Sequence, residues 1–238
     1  MFGNSREVAS SQTGPHPRLV EIVARHARET YRKPVAASAQ AAFASLAARV
    51  GGDARPRVLD AGCGTGASTL ALARRHRGAL VIGVDKSQAR LDTGRQLLAR
   101  ADDAMNAILL RCDLVDFWLL AARAGWRFER QYLLYPNPWP KPEYVMRRWP
   151  GHPVLPAILV CGGTLELRTN WDVYAAEWAE ALRVLGREAC VETLAPDGLT
   201  PFEVKYAASG HALWQCSSSQ REAQRQRRSR PEGRTAQR

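Results

Sequence analysis

The chain lacks any long apolar run. None of its 238 residues fall in a stretch approaching the roughly 20 apolar residues of a membrane-spanning helix, so no membrane partner is expected. Met1 to Gln12 is polar and holds no signal-peptide core, which leads to the expectation of a cytoplasmic protein. Cysteine is sparse: Cys63, Cys112, Cys161, Cys190 and Cys216 are odd in number and form no C-x-x-C pair. That pattern argues against a disulfide framework and a zinc site and fits reduced thiols. Acidic residues are in deficit, 23 against 34 Lys and Arg, for a formal charge of +11. Seven arginines against two glutamates between Arg221 and Arg238 carry part of the excess, yet +6 remains on the body. A basic surface suits a polyanion such as RNA, and equally a face that is simply solvated.

What the chain does have is an alternation. Residues 1–16 read as a flexible arm. Pro17 to Arg32 has helical spacing, with Leu19, Ile22, Val23 and His26 on one face, and the Ala-rich stretch Val35 to Val50 reads as a second helix, broken at Gly51-Gly52-Asp53. Strands are then predicted near 57–61, 80–84, 107–112, 130–135, 163–168, 188–193 and 209–216. Helices are predicted near 67–76, 87–101, 115–124 and 171–185. Strands alternating with helices give an α/β fold with a doubly wound, mostly parallel sheet. The expected organisation is an arm with two helices over 1–50, a catalytic domain over 51–216, and a basic, disordered tail over 217–238, where apolar residues almost vanish.

Between the first strand and its helix lies Asp60-Ala61-Gly62-Cys63-Gly64-Thr65-Gly66. A glycine-rich strand-to-helix turn lets backbone approach a ligand closely, with helix N–H groups facing it. Gly62, Gly64 and Ala67 also satisfy the dinucleotide pattern G-x-G-x-x-G/A, which keeps an NAD-binding reading open. D-x-G-x-G-x-G resembles motif I of the class I S-adenosylmethionine (SAM) methyltransferases. That resemblance implies a Rossmann-like fold with a seven-stranded sheet, and an acidic residue facing the amino-acid end of SAM. Asp85, at the tip of the second strand, is placed to accept ribose hydroxyls. Asp113 ends the third strand, where the resemblance implies an adenine contact. Either aspartate could instead cap a helix.

The second half carries a Pro-rich loop, Pro136-Asn137-Pro138-Trp139-Pro140-Lys141-Pro142, at the carboxyl edge of the fourth strand. Four prolines stiffen an extended segment, suited to holding one amide at a base or to serving only as a connector around a core tryptophan. This loop, followed by Arg147-Arg148, resembles the P-D-P-W-x-K…R-R signature of bacterial tRNA guanine-N7 methyltransferases. Gly162-Gly163 through Thr169-Asn170 resembles that family's G-G…T-D segment, and Thr200-Pro201-Phe202-Glu203 its T-x-[FY]-E motif. The motifs fall in family order, and the likeness spans about residues 10–215. It implies SAM as cofactor, held by Asp60, Gly62, Gly64, Gly66, Asp85 and Asp113. It implies Asn137 as the catalytic position, also near SAM, and tRNA as partner, with the acceptor that of a tRNA (guanine(46)-N7)-methyltransferase. Lys141, Asn170, Thr200 and Glu203 match substrate-holding positions, and Arg147 and Arg148 a phosphate-facing pair. No metal site and no particular oligomeric state follow; a monomer is compatible.

Asn137 and Asn170 depart from the family's aspartates, exchanging a charge for an amide with one acceptor and two donors. Two other readings therefore stay open: a SAM methyltransferase acting on another RNA base, a protein or a small molecule, and a binding protein without turnover. Asn137 to Pro140 also partly matches the N-P-P-[YFW] loop of amino-group methyltransferases, though Pro and Trp stand in the wrong order. Guanine N7 carries a lone pair and no proton, so its methylation needs orientation and a dry site rather than a general base. Glu203 is expected to hold the Watson–Crick edge, Asn137 to offer a carbonyl oxygen to a purine gaining charge, and Trp139 or Phe202 to offer a stacking face, Phe202 being equally a core residue. His152, in a Gly/Pro loop, reads as structural.

Overall fold

A computed structural model describes residues 3–219. After helices α1 (Leu19–Arg28) and α2 (Ala37–Val50) the chain alternates. The order is β1 (Arg57–Ala61), α3 (Ala67–Arg75), β2 (Leu80–Asp85), α4 (Gln88–Ala99), β3 (Ala107–Arg111), α5 (Leu114–Arg123) and β4 (Arg130–Leu134). Two 3₁₀ turns, Pro142–Arg147 and Trp149–Gly151, lead into α6 (Leu155–Val160). Then come β5 (Thr164–Thr169), α7 (Asp172–Val184), β6 (Glu188–Thr193), α8 (Pro201–Ala208) and β7 (Trp214–Ser219). The strands form one seven-stranded sheet in the order β3-β2-β1-β4-β5-β7-β6. All pairings from β3 to β5 are parallel; β7 inserts antiparallel between β5 and β6.

Period-two alternation sends side chains to opposite faces of this sheet. Leu59, Ile82, Leu133, Leu165 and Leu167 enter one core, shared with α1, α2, α5, α6 and α7. Val58, Val81 and Tyr132 enter a smaller core that includes Leu70, Leu72 and Ala73 of α3. The second face changes character at β5, where Glu166 and Arg168 stand in place of apolar residues. Helix α1 buries the four residues its spacing picks out.

Three expectations are corrected. The arm is not loose: Ser10 Oγ donates to Pro140 O at 2.6 Å, Gln12 Nε2 donates to Glu177 at 3.2 Å, and Ser5 N donates to Ser209 Oγ at 3.1 Å. The last strand begins later than expected and continues to Ser219; 220–238 lies outside the described residues. Ladder hydrogen bonds to strands on both sides hold Ser217 and its neighbours without an apolar run. Helices α6 and α8 were not expected, being short and opened by Pro156 and Pro201 near their first turns, where proline is tolerated. Among the described residues no helix is long and apolar enough to cross a membrane.

Candidate active site

The glycine turn folds over the end of β2. Gly62 N and Cys63 N donate to Val84 O at 2.9 and 3.1 Å, and Gly64 N donates to Asp85 Oδ2 at 3.1 Å. Gly64 has φ 55°, and a Cβ built there would meet nothing within 4 Å, which leaves open space over the turn. Gly66, at φ 73°, opens α3; a Cβ there would press on Gly94 Cα and Leu109 at 3.3 Å. A side chain at either position would be strained, so glycine at both follows from the path of the turn. Cys63 is buried beneath, and burial pushes its thiol well up, which makes it a poor nucleophile.

Asp60 does not face into the space above the turn. It is 1 % exposed, and its Oδ2 accepts both Ser68 Oγ and Thr69 Oγ1 at 2.7 Å, tying β1 to the first turn of α3. Burial, with Asp85 adding repulsion, pushes its carboxyl up to about 6. The folded value lies above the ordinary 3.8, so the free protein loses stability as pH rises through about 6, and a cationic ligand offsets that loss. Affinity for SAM is therefore expected to weaken about tenfold between pH 7 and pH 5 in titration calorimetry. Asp60→Asn should flatten that profile; an unchanged slope would assign it to another group.

Asp85 closes β2 with two backbone contacts, Gly64 N to one oxygen and Ser87 N to the other at 2.8 Å. Each carboxylate oxygen has a further lone pair for a ligand hydroxyl. Asp113 is a helix cap: its Oδ1 accepts from Val115 N at 3.0 Å, with Asp116 N at 3.4 Å, while the side chain stays half exposed beside Lys33. Sequence reasoning missed Asp116. It is buried, pairs with Lys33 and accepts Ala36 N at 3.2 Å, fixing the segment between α1 and α2 against α5.

Across from the turn stands the Pro-rich loop. Two non-glycine residues in left-handed backbone flank Asn137: Tyr135 at φ 50° and Trp139 at φ 45°. Each costs about 1–3 kcal/mol, so the surroundings must impose them. Tyr135 N donates to Arg168 O at 2.8 Å, Ser10 clamps Pro140, and Arg148 Nη1 reaches Trp139 O at 3.4 Å. Asn137 is exposed, but its Oδ1 accepts Trp139 N at 3.3 Å. The carbonyl oxygen expected to meet the purine is thus engaged by the loop's own backbone, and the NH₂ donor is the group this contact leaves over. Lys141 is exposed. Asn170 is half buried, its amide nitrogen 3.1 Å from His211 Nδ1.

Three substrate assignments are corrected by burial. Arg148 is 0 % exposed and pairs with the equally buried Glu177 at 2.9 Å, so it cannot meet a phosphate. Arg147 alone remains outside, its guanidinium 4.8 Å from the Trp139 ring and 4.5 Å from that of Tyr144. Thr200 caps α8 by accepting Glu203 N at 2.9 Å. Glu203 is fully buried and filled: Oε1 accepts from Asp197, Gly198 and Leu199 N–H groups, and Oε2 from Tyr135 OH and Arg168 Nη1. No lone pair is left for the edge of a guanine. The signal for this network lay in β5, where Leu165-Glu166-Leu167-Arg168 alternates apolar with charged.

The sheet order, the glycine turn after β1 and the acidic tip of β2 define a class I, Rossmann-like methyltransferase fold. Solved structures agree on the fold. An antibiotic-related methyltransferase matches with TM-score 0.55 at 16% identity, over 80% of this chain and 96% of that one. A 16S rRNA (adenine(1408)-N(1))-methyltransferase from Catenulisporales acidiphilia, solved with SAM, matches with TM-score 0.53 at 17% identity, over 73% and 89%. A family model described as "Putative methyltransferase" matches residues 54–216. A tRNA (guanine-N(7)-)-methyltransferase of Leifsonia xyli subsp. xyli is 30% identical over 177 residues, covering 68% of this chain and 75% of that protein. Proteins of the same description from Burkholderia ambifaria and Neisseria meningitidis serogroup A are 29% and 27% identical, over 68% and 74% of this chain and 66% and 76% of theirs. The chain belongs to the tRNA (guanine-N7)-methyltransferase family and is a divergent member of it.

Proposed function

We propose that this protein transfers the methyl group of SAM to N7 of a guanine in tRNA, with guanine 46 the acceptor the family motifs imply. The observation that carries this reading is the convergence at one sheet edge of the open glycine turn with the strained loop bearing Asn137, in a chain of this family. The residues fit the cofactor. The space above Gly64 leaves room beside backbone, Asp85 offers acceptors for a ribose, and Asp60 and Asp85 supply negative charge near a cation. When bound, SAM supplies an electrophilic methyl on a sulfonium.

The chain's own residues orient and exclude water. N7 has no proton to lose, so the buried, neutral thiol of Cys63 and the Tyr135 hydroxyl, donated to Glu203, are not needed as bases. The NH₂ of Asn137 suits an acceptor such as guanine O6, beside N7 on the same edge. Exposed Lys141 and Arg147 are left to meet phosphate. We place the enzyme in the cytoplasm.

Incubation with methyl-labelled SAM and bulk unmodified tRNA, followed by nucleoside analysis, tests this. N7-methylguanosine is the expected product. Label in another nucleoside, in protein or in a small molecule would replace the reading; cofactor binding with no acceptor would leave a binding protein.

A further inference from the structure

The T-x-[FY]-E segment loses its substrate contacts when Thr200 and Glu203 turn inward, but it leaves one residue facing out. Phe202 is 53 % exposed, against the expectation that core packing could claim it. It sits one turn before Tyr206 on α8, and residues four apart share a helix face. Their rings stack at 6.1 Å with planes 24° apart. Tyr206 in turn stacks on His211 at 5.3 Å and 14°. The inner end of this column is closed: the His211 ring nitrogens are engaged by Asn170 at 3.1 Å and Ser5 O at 2.9 Å. Its outer end, the Phe202 ring, is open.

The column is tied to the catalytic loop. Tyr206 packs on Tyr135 at 5.6 Å, and Tyr135 leads directly into Pro136-Asn137. Helix α8 is immobilised at its start by the Thr200 cap and by the five donors on Glu203. The loop's own tryptophan is committed elsewhere, since Arg147 occupies a face of Trp139 and Tyr144 meets its edge. A rigid, exposed aromatic plane beside a site for a polyanion fits one kind of partner: an unstacked base, because every base has a π-face. The overall charge of +11 favours a nucleic acid over an uncharged aromatic ligand.

We infer that Phe202 is a stacking platform on which an unpaired base of the RNA substrate extends the Phe202–Tyr206–His211 column at the mouth of the site. This rests on the proposal that the substrate is RNA. The test compares Phe202→Leu and Phe202→Ala, which keep or lose bulk without a ring, with Phe202→Tyr and Phe202→Trp, which keep the ring. Each is measured for kcat/KM with tRNA, for SAM affinity by calorimetry and for thermal stability.

The Leu and Ala variants should lose about 5- to 150-fold in kcat/KM for tRNA, the range spanned by losing one base–aromatic stack. SAM affinity and Tm should hold, and Tyr and Trp should restore the rate. A Leu variant as active as the parent would overturn the platform, as would equal losses in all four accompanied by lowered Tm. A parent protein that methylates no RNA would instead sink the functional reading, and the platform with it.

Discussion

Glu203→Ala should lower the stability of this protein by about 3–5 kcal/mol, because several donors lose a buried acceptor at once. For a chain of this size that amounts to a fall in Tm of roughly 6–20 °C. Arg168, 3 % exposed, would lose Glu203 at 2.9 Å and keep Asp197 at 2.8 Å and Glu166 at 3.0 Å. Three backbone N–H groups at 197–199 would lose their acceptor together. If Glu203 held the base instead, its alanine variant would keep its Tm and lose only turnover. Calorimetric unfolding beside SAM binding separates the two. The prediction is a large fall in Tm, with any loss of activity following from a loosened Tyr135 and α8.

Arg148→Ala should be similarly severe, and Arg147→Ala mild, although the two residues are neighbours. Arg148 and Glu177 are both wholly buried, and burial draws each toward its neutral form, lowering the arginine and raising the glutamate. Gln12 Oε1, 2.9 Å from Arg148 Nη1, and His16 N, 3.0 Å from Glu177, complete the cluster. Removing one member should cost about 3–5 kcal/mol. Replacing both, Arg148→Met with Glu177→Leu, should recover much of that stability while releasing the arm from α7 and the loop from Arg148. The double variant should therefore fold and still turn over slowly. Arg147→Ala should leave Tm in place, weaken tRNA binding and reduce its salt slope by about one. A salt slope that moves with Arg148 in a stable variant, and not with Arg147, would reverse the assignment.

The sheet was legible because its strands announce themselves twice. Leu80 to Val84 is continuously apolar as a strand buried on both faces must be, and the glycines that follow β1 leave the chain one path into α3. The positions of the site segments were legible as well, since the turn, the Pro-rich loop and the α8 motif do meet at one edge. Side-chain direction was not. A motif match says where Glu203 and Arg148 stand along the chain, but inward or outward is decided by partners distant in sequence. Glu203 is claimed by Arg168 and Tyr135, and Arg148 by Glu177 and Gln12. The arm looked flexible because its polar residues promise no core, and it is held by hydrogen bonds to groups that only the fold brings near.

The central claim is that a SAM-sized ligand lies between the Gly62–Gly66 turn, Asp85 and the loop carrying Asn137. A crystal structure with S-adenosylhomocysteine tests it most directly. The account predicts density above Gly64, ribose hydroxyls on Asp85, and the sulfur directed at the loop from Pro136 to Lys141. Density elsewhere on the molecule, or a nucleoside bound with Asp85 unengaged and the loop facing away, would contradict it.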